Sequence, residues 1–160
     1  MTPPYRVGDE LPPLEIPVTR TLIVAGAIAS RDYQDVHHDA ASAREKGSPD
    51  IFMNILTTNG LVGRYITDHF GPTAVLRKVA IRLGAPNYPG DVLRLTGRIT
   101  ELRTADTSSG GASPGDASSD EVVDAVEAVV QVTGGNGIGR HVTGTVAVTL
   151  PEPSAKRAGA

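Results

Sequence analysis

The chain of 160 residues contains no cysteine and no tryptophan. The first absence excludes disulfides, thiolate metal sites and a cysteine nucleophile, and it leaves the redox compartment open. Aromatics make up only 4%, so core volume has to come from valine, leucine, isoleucine and alanine. No apolar run approaches the length of a bilayer span. "MTPPYRVGDELPP" offers no apolar stretch of the kind a signal peptide needs. The expectation is a cytoplasmic protein with no membrane partner. An excess of positive charge is missing as well: a net charge of -3 leaves no basic footprint, so nucleic acid is not expected as a partner.

What remains is an ordinary globular composition, 39% apolar and 21% charged, on a chain long enough for one real core. The opening segment is proline-rich and reads as an extended arm ending in a short strand. "TLIVAGAIASRD" predicts about three helical turns from Thr21 as N-cap. "AASAREKG" predicts one or two turns ended by Gly47. The longest helix is expected over 49–70. Ser48 would cap it, Pro49 would take its first position, and Asp50 would face the positive end of its dipole. Gly71-Pro72 stops it. Ile51, Ile55, Val62, Ile66 and Phe70 share a stripe, with Phe52 and Leu56 beside it. Gly60 and Gly63 cost helix stability, so they read as points of close packing against another backbone.

Beyond this helix the apolar residues recur at period two. Val75, Arg77, Val79, Ile81 and Leu83 make one strand face, followed by the turn "APNYPGD". Leu93, Leu95, Gly97 and Ile99 make the next, and Val122, Val126, Ala128, Val130 and Val132 a third. "GGNG" suits a tight hairpin. Val142, Val146, Val148 and Leu150 complete a fourth, with Gly144 as a bare position. The segment 104–120, "TADTSSGGASPGDASSD", has no apolar anchor and reads as a flexible surface loop. One domain over 1–150 and a frayed tail over 151–160 are expected. The class is α+β, an antiparallel sheet with one long helix laid across it. Apolar residues on more than one face of that helix call for a second subunit as cover.

The chemistry gathers in "SRDYQDVHHD", residues 30–39. It holds Asp32, Asp35, Asp39, His37 and His38, in a chain with four histidines. Taken alone, Asp32 and His37 fit a solvated acidic turn better than a general acid/base pair. Asp39 suits the N-cap of the following helix. His38 reads as a solvated neighbour, and Asp35 either orients His37 or faces water. A metal is not expected, because adjacent histidines point apart and no second cluster supplies ligands. His69 reads as a partner for its helix's C-terminal dipole, and His141 as a residue on the polar face of its strand.

The ordered pieces tip that balance. The family motif of the MaoC-like enoyl-CoA hydratases runs Ser-Gly-Asp, then Asn-Pro, an aliphatic residue and His-x-Asp. This chain reads Ser30-Arg31-Asp32, Gln34-Asp35-Val36 and His37-His38-Asp39, with Asp32 and His37 at the family's spacing. "VGDELPPLEIPVT", "PNYPGDVLRLTGRIT" and "NGIGRHVTGTVAV" resemble the family's arm, turn with following strand, and last hairpin. "SRDYQDVHHDAASAREKGSPDIFMNILTTNGLVGRYITDHFGP" resembles, within the family, the small subunits of two-subunit hydratases of actinobacterial cholesterol side-chain degradation.

The resemblance implies a hotdog fold, an antiparallel sheet wrapped around the central helix. It implies hydration of a bulky steroid enoyl-CoA by Asp32 and His37, and it places Ile51, Phe52, Met53 and Asn54 at the substrate. It implies no cofactor, coenzyme A arriving as the substrate's own thioester. A second MaoC-like subunit with a DUF35-type domain is the implied partner, in a heterotetramer. Two departures stand out. Gln34-Asp35 replaces Asn-Pro, and Met53-Asn54 replaces the His-Gly whose glycine N–H serves the thioester oxygen. A homodimeric hydratase of ordinary acyl-CoA chains, a non-catalytic hotdog partner and a thioesterase stay open as alternatives.

Overall fold

The alternation of apolar residues sets the sheet. The computed structural model describes residues 5–104 and 125–151. Five strands run antiparallel: β1 (Glu10–Pro17), β2 (Val75–Leu83), β3 (Val92–Thr104), β4 (Ala125–Gly135) and β5 (Arg140–Pro151). Their spatial order is β1-β3-β4-β5-β2. The expected meander holds for β3, β4 and β5, while β2 crosses over to pair with the far side of β5. The proline-rich arm is more than an arm, because β1 pairs along β3 for most of its length.

Register places like with like. Ile99 lies opposite Val130, Val130 opposite Val146, and Val146 opposite Val79. Ile99, Val130 and Val146 are buried, while Arg98, Thr100, Gln131 and Thr145 face solvent. This gives the sheet a dry inner face and a polar outer one.

The described residues form three α-helices, α1 (Arg20–Ala29), α2 (Ala40–Glu45) and α3 (Ile55–Phe70), of which α3 lies against the sheet and α1 packs on α3. The long one, α3, buries Leu61, Val62, Tyr65, Ile66 and Phe70. Gly97 of β3 is a bare position beneath it, where a Cβ would come within 3.1 Å of the Tyr65 ring. The Tyr65 hydroxyl donates to the Leu11 carbonyl at 3.3 Å, tying α3 to β1. Gly26 of α1 meets the Thr57 side chain, with which any Cβ would collide, so α1 crosses the start of α3 at backbone distance.

Several expectations need correction. The central helix begins at Ile55, not Pro49, and Asn54 caps it in place of Ser48. Asn54 is extended, with φ -78° and ψ 163°, and its side-chain oxygen accepts from Thr57 N at 2.9 Å. The Ser48 hydroxyl instead donates to the Asp50 carbonyl, and Asp50 is held by Arg20. Segment 49–54 is extended because its backbone bonds elsewhere: Phe52 N–H to Val36 O, and Met53 N–H to Asn87 O. Helix α1 starts two residues earlier than expected, capped by Thr19 rather than Thr21. Gly63 does sit in close packing, where a Cβ would come within 3.2 Å of Leu76 Cδ1, but against a side chain, and a Cβ on Gly60 would meet nothing within 4 Å. Most of the expected loop 104–120, Val122 and most of the expected tail 151–160 lie outside the described residues. Thr104 and Pro151 close β3 and β5.

Candidate active site

Helix α1 ends at Ala29, and the Ser30 hydroxyl turns back onto the Gly26 carbonyl at 2.7 Å. Arg31 takes a left-handed φ of 57°, the one non-glycine to do so among the described residues, and this reverses the chain. Asp32 N–H then bonds the Ala27 carbonyl at 2.9 Å, which fixes the aspartate against the end of α1. Residues Asp35–His37 form a short 3-10 turn that drives the His37 ring inward to 5% exposure. Its one buried member is the imidazole.

The His37 ring is held at both nitrogens. Nδ1 lies 2.7 Å from the Phe52 carbonyl. A carbonyl only accepts, so Nδ1 carries a hydrogen and Nε2 is the nitrogen offered to the site. Nε2 sits 3.3 Å from Asp32 Oδ2, with the two side chains 7% and 18% exposed. The Phe52 ring stands edge-on to the imidazole at 5.1 Å and walls it from one side. Asn54 completes the group. Its side-chain nitrogen donates to Asp32 Oδ2 at 3.0 Å and to Ser30 Oγ at 2.9 Å, while its oxygen caps α3. One buried amide thus joins the carboxylate, the end of α1 and the start of α3.

Immediately beside it, the backbone N–H groups of Asn54, Ile55 and Leu56 find no acceptor among the described residues. They are the orphan donors of a helix start and carry the positive end of its dipole. Met53 N–H is not among them, being taken by the Asn87 carbonyl at 3.0 Å.

Of the other residues singled out by sequence, Phe52 and Asn54 lie in the cluster. The Ile51 and Met53 side chains are packed in the core, so that segment meets the site through its backbone. Asp35 does not orient His37. It faces solvent, and the Lys46 ammonium, with Ser42, holds its carboxyl below the ordinary value. Asp39 caps α2 through Ala41 N and Ser42 N. His38 is exposed, its Nε2 3.2 Å from the Tyr33 carbonyl. His69 lies in the last turn of α3, as expected, half-buried against Phe70 and Tyr5, and burial pushes its pKa down. His141 is not on a polar face, being 1% exposed. The clefts on the outer face of the sheet, around Arg94 and Thr96, hold neither Asp32 nor His37. Sequence reading missed the roles of Ser30, Thr58 and the Asn54 side chain. The signal available was Asn54 itself, a polar residue where the family motif has glycine.

No family model matches the chain. It is 40% identical over 144 residues, 90% of this chain and 95% of the other, to the 3-oxo-4,17-pregnadiene-20-carboxyl-CoA hydratase beta subunit of Mycobacterium tuberculosis. The chain belongs to the MaoC-like hydratases. The crystal structure of the ChsH1-ChsH2 complex from Mycobacterium tuberculosis superimposes with a TM-score of 0.74 at 39% identity, over 94% of this chain and 99% of that one. A MaoC-like dehydratase from Rhodospirillum rubrum, 17% identical, gives a TM-score of 0.73 over 94% and 96% of the two chains, and shows the shared hotdog fold. Among the described residues no helix is long and apolar enough to cross a membrane.

Proposed function

We propose that this MaoC-like hydratase is the catalytic small subunit of a two-subunit enzyme adding water across the α,β double bond of a steroid side-chain enoyl-CoA. The observation that carries the reading is the pair itself. Asp32 Oδ2 and His37 Nε2 stand 3.3 Å apart with little exposure, next to a helix start whose first three backbone N–H groups have no acceptor among the described residues. The steroid acyl group rests on the likeness to the pregnadiene-carboxyl-CoA hydratase subunit.

The chemistry follows from what hydration requires. Water must lose a proton as its oxygen bonds to Cβ, the enolate oxygen must be stabilised, and Cα must gain a proton. A water held between Asp32 and His37 gives its proton to one of them, and the pair returns a proton to Cα. The Phe52 carbonyl fixes the imidazole's orientation, and the Asn54 amide fixes the carboxylate's. The free N–H groups at the start of α3 are placed to receive the enolate oxygen. A donor of this kind is typically worth about 3 kcal/mol of barrier. Asn54 can replace glycine here because its side chain turns away to Asp32 and Ser30, leaving its backbone N–H open.

The exposed apolar residues Ile28, Ile55 and Leu56 flank the contact of Gly26 with Thr57, near the pair. They are the surface a second subunit would cover, completing the pocket for a rigid ring system. The expected partner is a MaoC-like chain with a DUF35-type domain, in a cytoplasmic heterotetramer that uses no cofactor beyond the substrate's coenzyme A. The test is incubation with a steroid enoyl-CoA, with and without the co-expressed partner. A mass gain of one water supports the reading. Release of free thiol, or equal turnover of straight-chain enoyl-CoA by the lone chain, overturns it.

A further inference from the structure

The buried imidazole of His141 lies outside the mechanism above, yet its contacts lead back to it. His141 sits on β5, 1% exposed, with Nδ1 2.6 Å from the Ala85 carbonyl and Nε2 2.9 Å from Thr58 Oγ1. The Ala85 carbonyl only accepts, so Nδ1 carries a hydrogen. Burial lowers its pKa against the smaller opposing pulls of the Ala85 carbonyl and Asp91, which favours the neutral ring. Nε2 is then a bare acceptor, and the Thr58 hydroxyl donates to it. Thr58 is itself 0% exposed and lies on the first turn of α3, where its N–H bonds the Asn54 carbonyl at 3.2 Å. Asn54 in turn grips Asp32.

We propose that Thr58 and His141 are positioning residues for hydration, an arm from the sheet that fixes Asn54 and, through it, the Asp32 carboxylate and the free N–H groups of α3. The inference rests on the hydratase reading but adds residues that touch neither substrate nor the catalytic pair. The arm ties the helix that supplies the oxyanion donors to the start of β5, where the His141 carbonyl accepts from Gly84 N–H and Val142 beside it pairs with β4 and β2. The Thr58–His141 bond joins the Asn54 cap, the packing of α1 and the Met53 N–H bond to Asn87 in setting where that helix begins. Displacements of a fraction of an ångström at such a point are felt in turnover and not in binding.

The test is steady-state hydration by the two-subunit enzyme. Thr58→Val keeps the shape and removes the hydroxyl. It should lower kcat by about 10- to 100-fold with KM within about twofold, and Thr58→Ser should restore kcat. The loss should shrink on an Asn54→Ala background, since the part of the arm's action that reaches Asp32 passes through the Asn54 amide. Unchanged kcat in folded Thr58→Val, or a full further loss in the double variant, overturns the proposal. If Thr58→Val fails to assemble, Thr58→Ala takes its place with the same two outcomes. A readout without substrate separates this from failure of the hydratase reading. The side-chain amide resonances of Asn54 should shift in Thr58→Val and return in Thr58→Ser, whatever the wild type turns over. No shift would overturn the arm even in an inactive enzyme.

Discussion

The two ends of α3 are held in different ways. At its start, Asn54, Ser30, Asp32, Thr58 and His141 meet through hydrogen bonds of 2.9 to 3.2 Å. At its finish, Phe70 is 8% exposed, with Tyr5 edge-on at 5.0 Å and His69 at 4.7 Å, and Gly71 turns the chain away. Apolar area tolerates small shifts, because dispersion is spread over many weak contacts. A buried polar network does not, because each unpaired member costs its full desolvation. The polar end fixes atoms for chemistry and the aromatic end closes a core.

The largest effects should fall on the polar end. Asp32→Asn and His37→Ala should each reduce kcat by roughly 100- to 10,000-fold while thermal unfolding of the assembled enzyme still shows a cooperative transition. The double variant should be little worse than either single one, because both act on one water. Turnover near normal in either variant would remove that residue from the pair.

Substitutions at the two caps of α3 set the ends against each other directly. Asn54→Ala loses both the cap and the Asp32 contact, so kcat should fall alongside a stability loss of about 1 kcal/mol. Gly71 has φ 90° and ψ 177°, a conformation that side chains rarely adopt. Gly71→Ala should cost about 1 to 3 kcal/mol of stability and leave kcat per folded enzyme unchanged. Denaturant unfolding combined with kinetics separates the two. A kcat loss in Gly71→Ala would mean that the ends are coupled along the helix.

The same contrast decides what could be read from sequence. The finish of α3 was legible, since Gly71-Pro72 follows a clean apolar stripe, and the strand faces of β3 and β5 were legible from strict alternation. The start was not. Ser48-Pro49-Asp50 is a good local capping signal, yet Phe52 and Met53 give their N–H groups to Val36 and Asn87, contacts that only the fold can supply. Asp32 and His37 were found through their spacing and the family motif. The Asn54 amide, Thr58 and His141 were not, because their partners lie 22 and 83 positions away in the chain. His141 looked polar by alternation, whereas the turn before β3 folds over it and the Ala85 carbonyl satisfies its ring.

Both ends carry a histidine whose pKa burial lowers from the ordinary 6.5, His141 at the start and His69 at the finish. The unfolded chain therefore binds more protons than the folded one as pH falls past that value. The stability these groups contribute is whole above about pH 7. It is lost as pH falls through 6.5 toward the lower folded values. Unfolding free energy measured from pH 7.5 to 5 should decline, and His69→Gln should flatten the slope without touching kcat. A slope unchanged in both His69→Gln and His141→Gln would place the acid sensitivity elsewhere.

The smallest effect probes strain. At the finish of α3 the chain places glycine where φ is positive. Beside Asp32 it places Arg31, at φ 57°, where the family motif has glycine. A non-glycine residue in this region costs roughly 1 to 2 kcal/mol. Glycine would remove that cost but would add backbone freedom to the unfolded chain, about 0.4 to 1 kcal/mol in the opposite sense. Arg31→Gly should therefore stabilise by only about 0.5 kcal/mol, a rise in Tm of about 1 to 2 °C. Arg31→Ala keeps the strain and should show no rise, which isolates the backbone from the loss of charge. If Arg31→Gly instead destabilises, the guanidinium holds the turn through contacts of its own. The polar end would then be secured by one more directional bond rather than by tolerated strain.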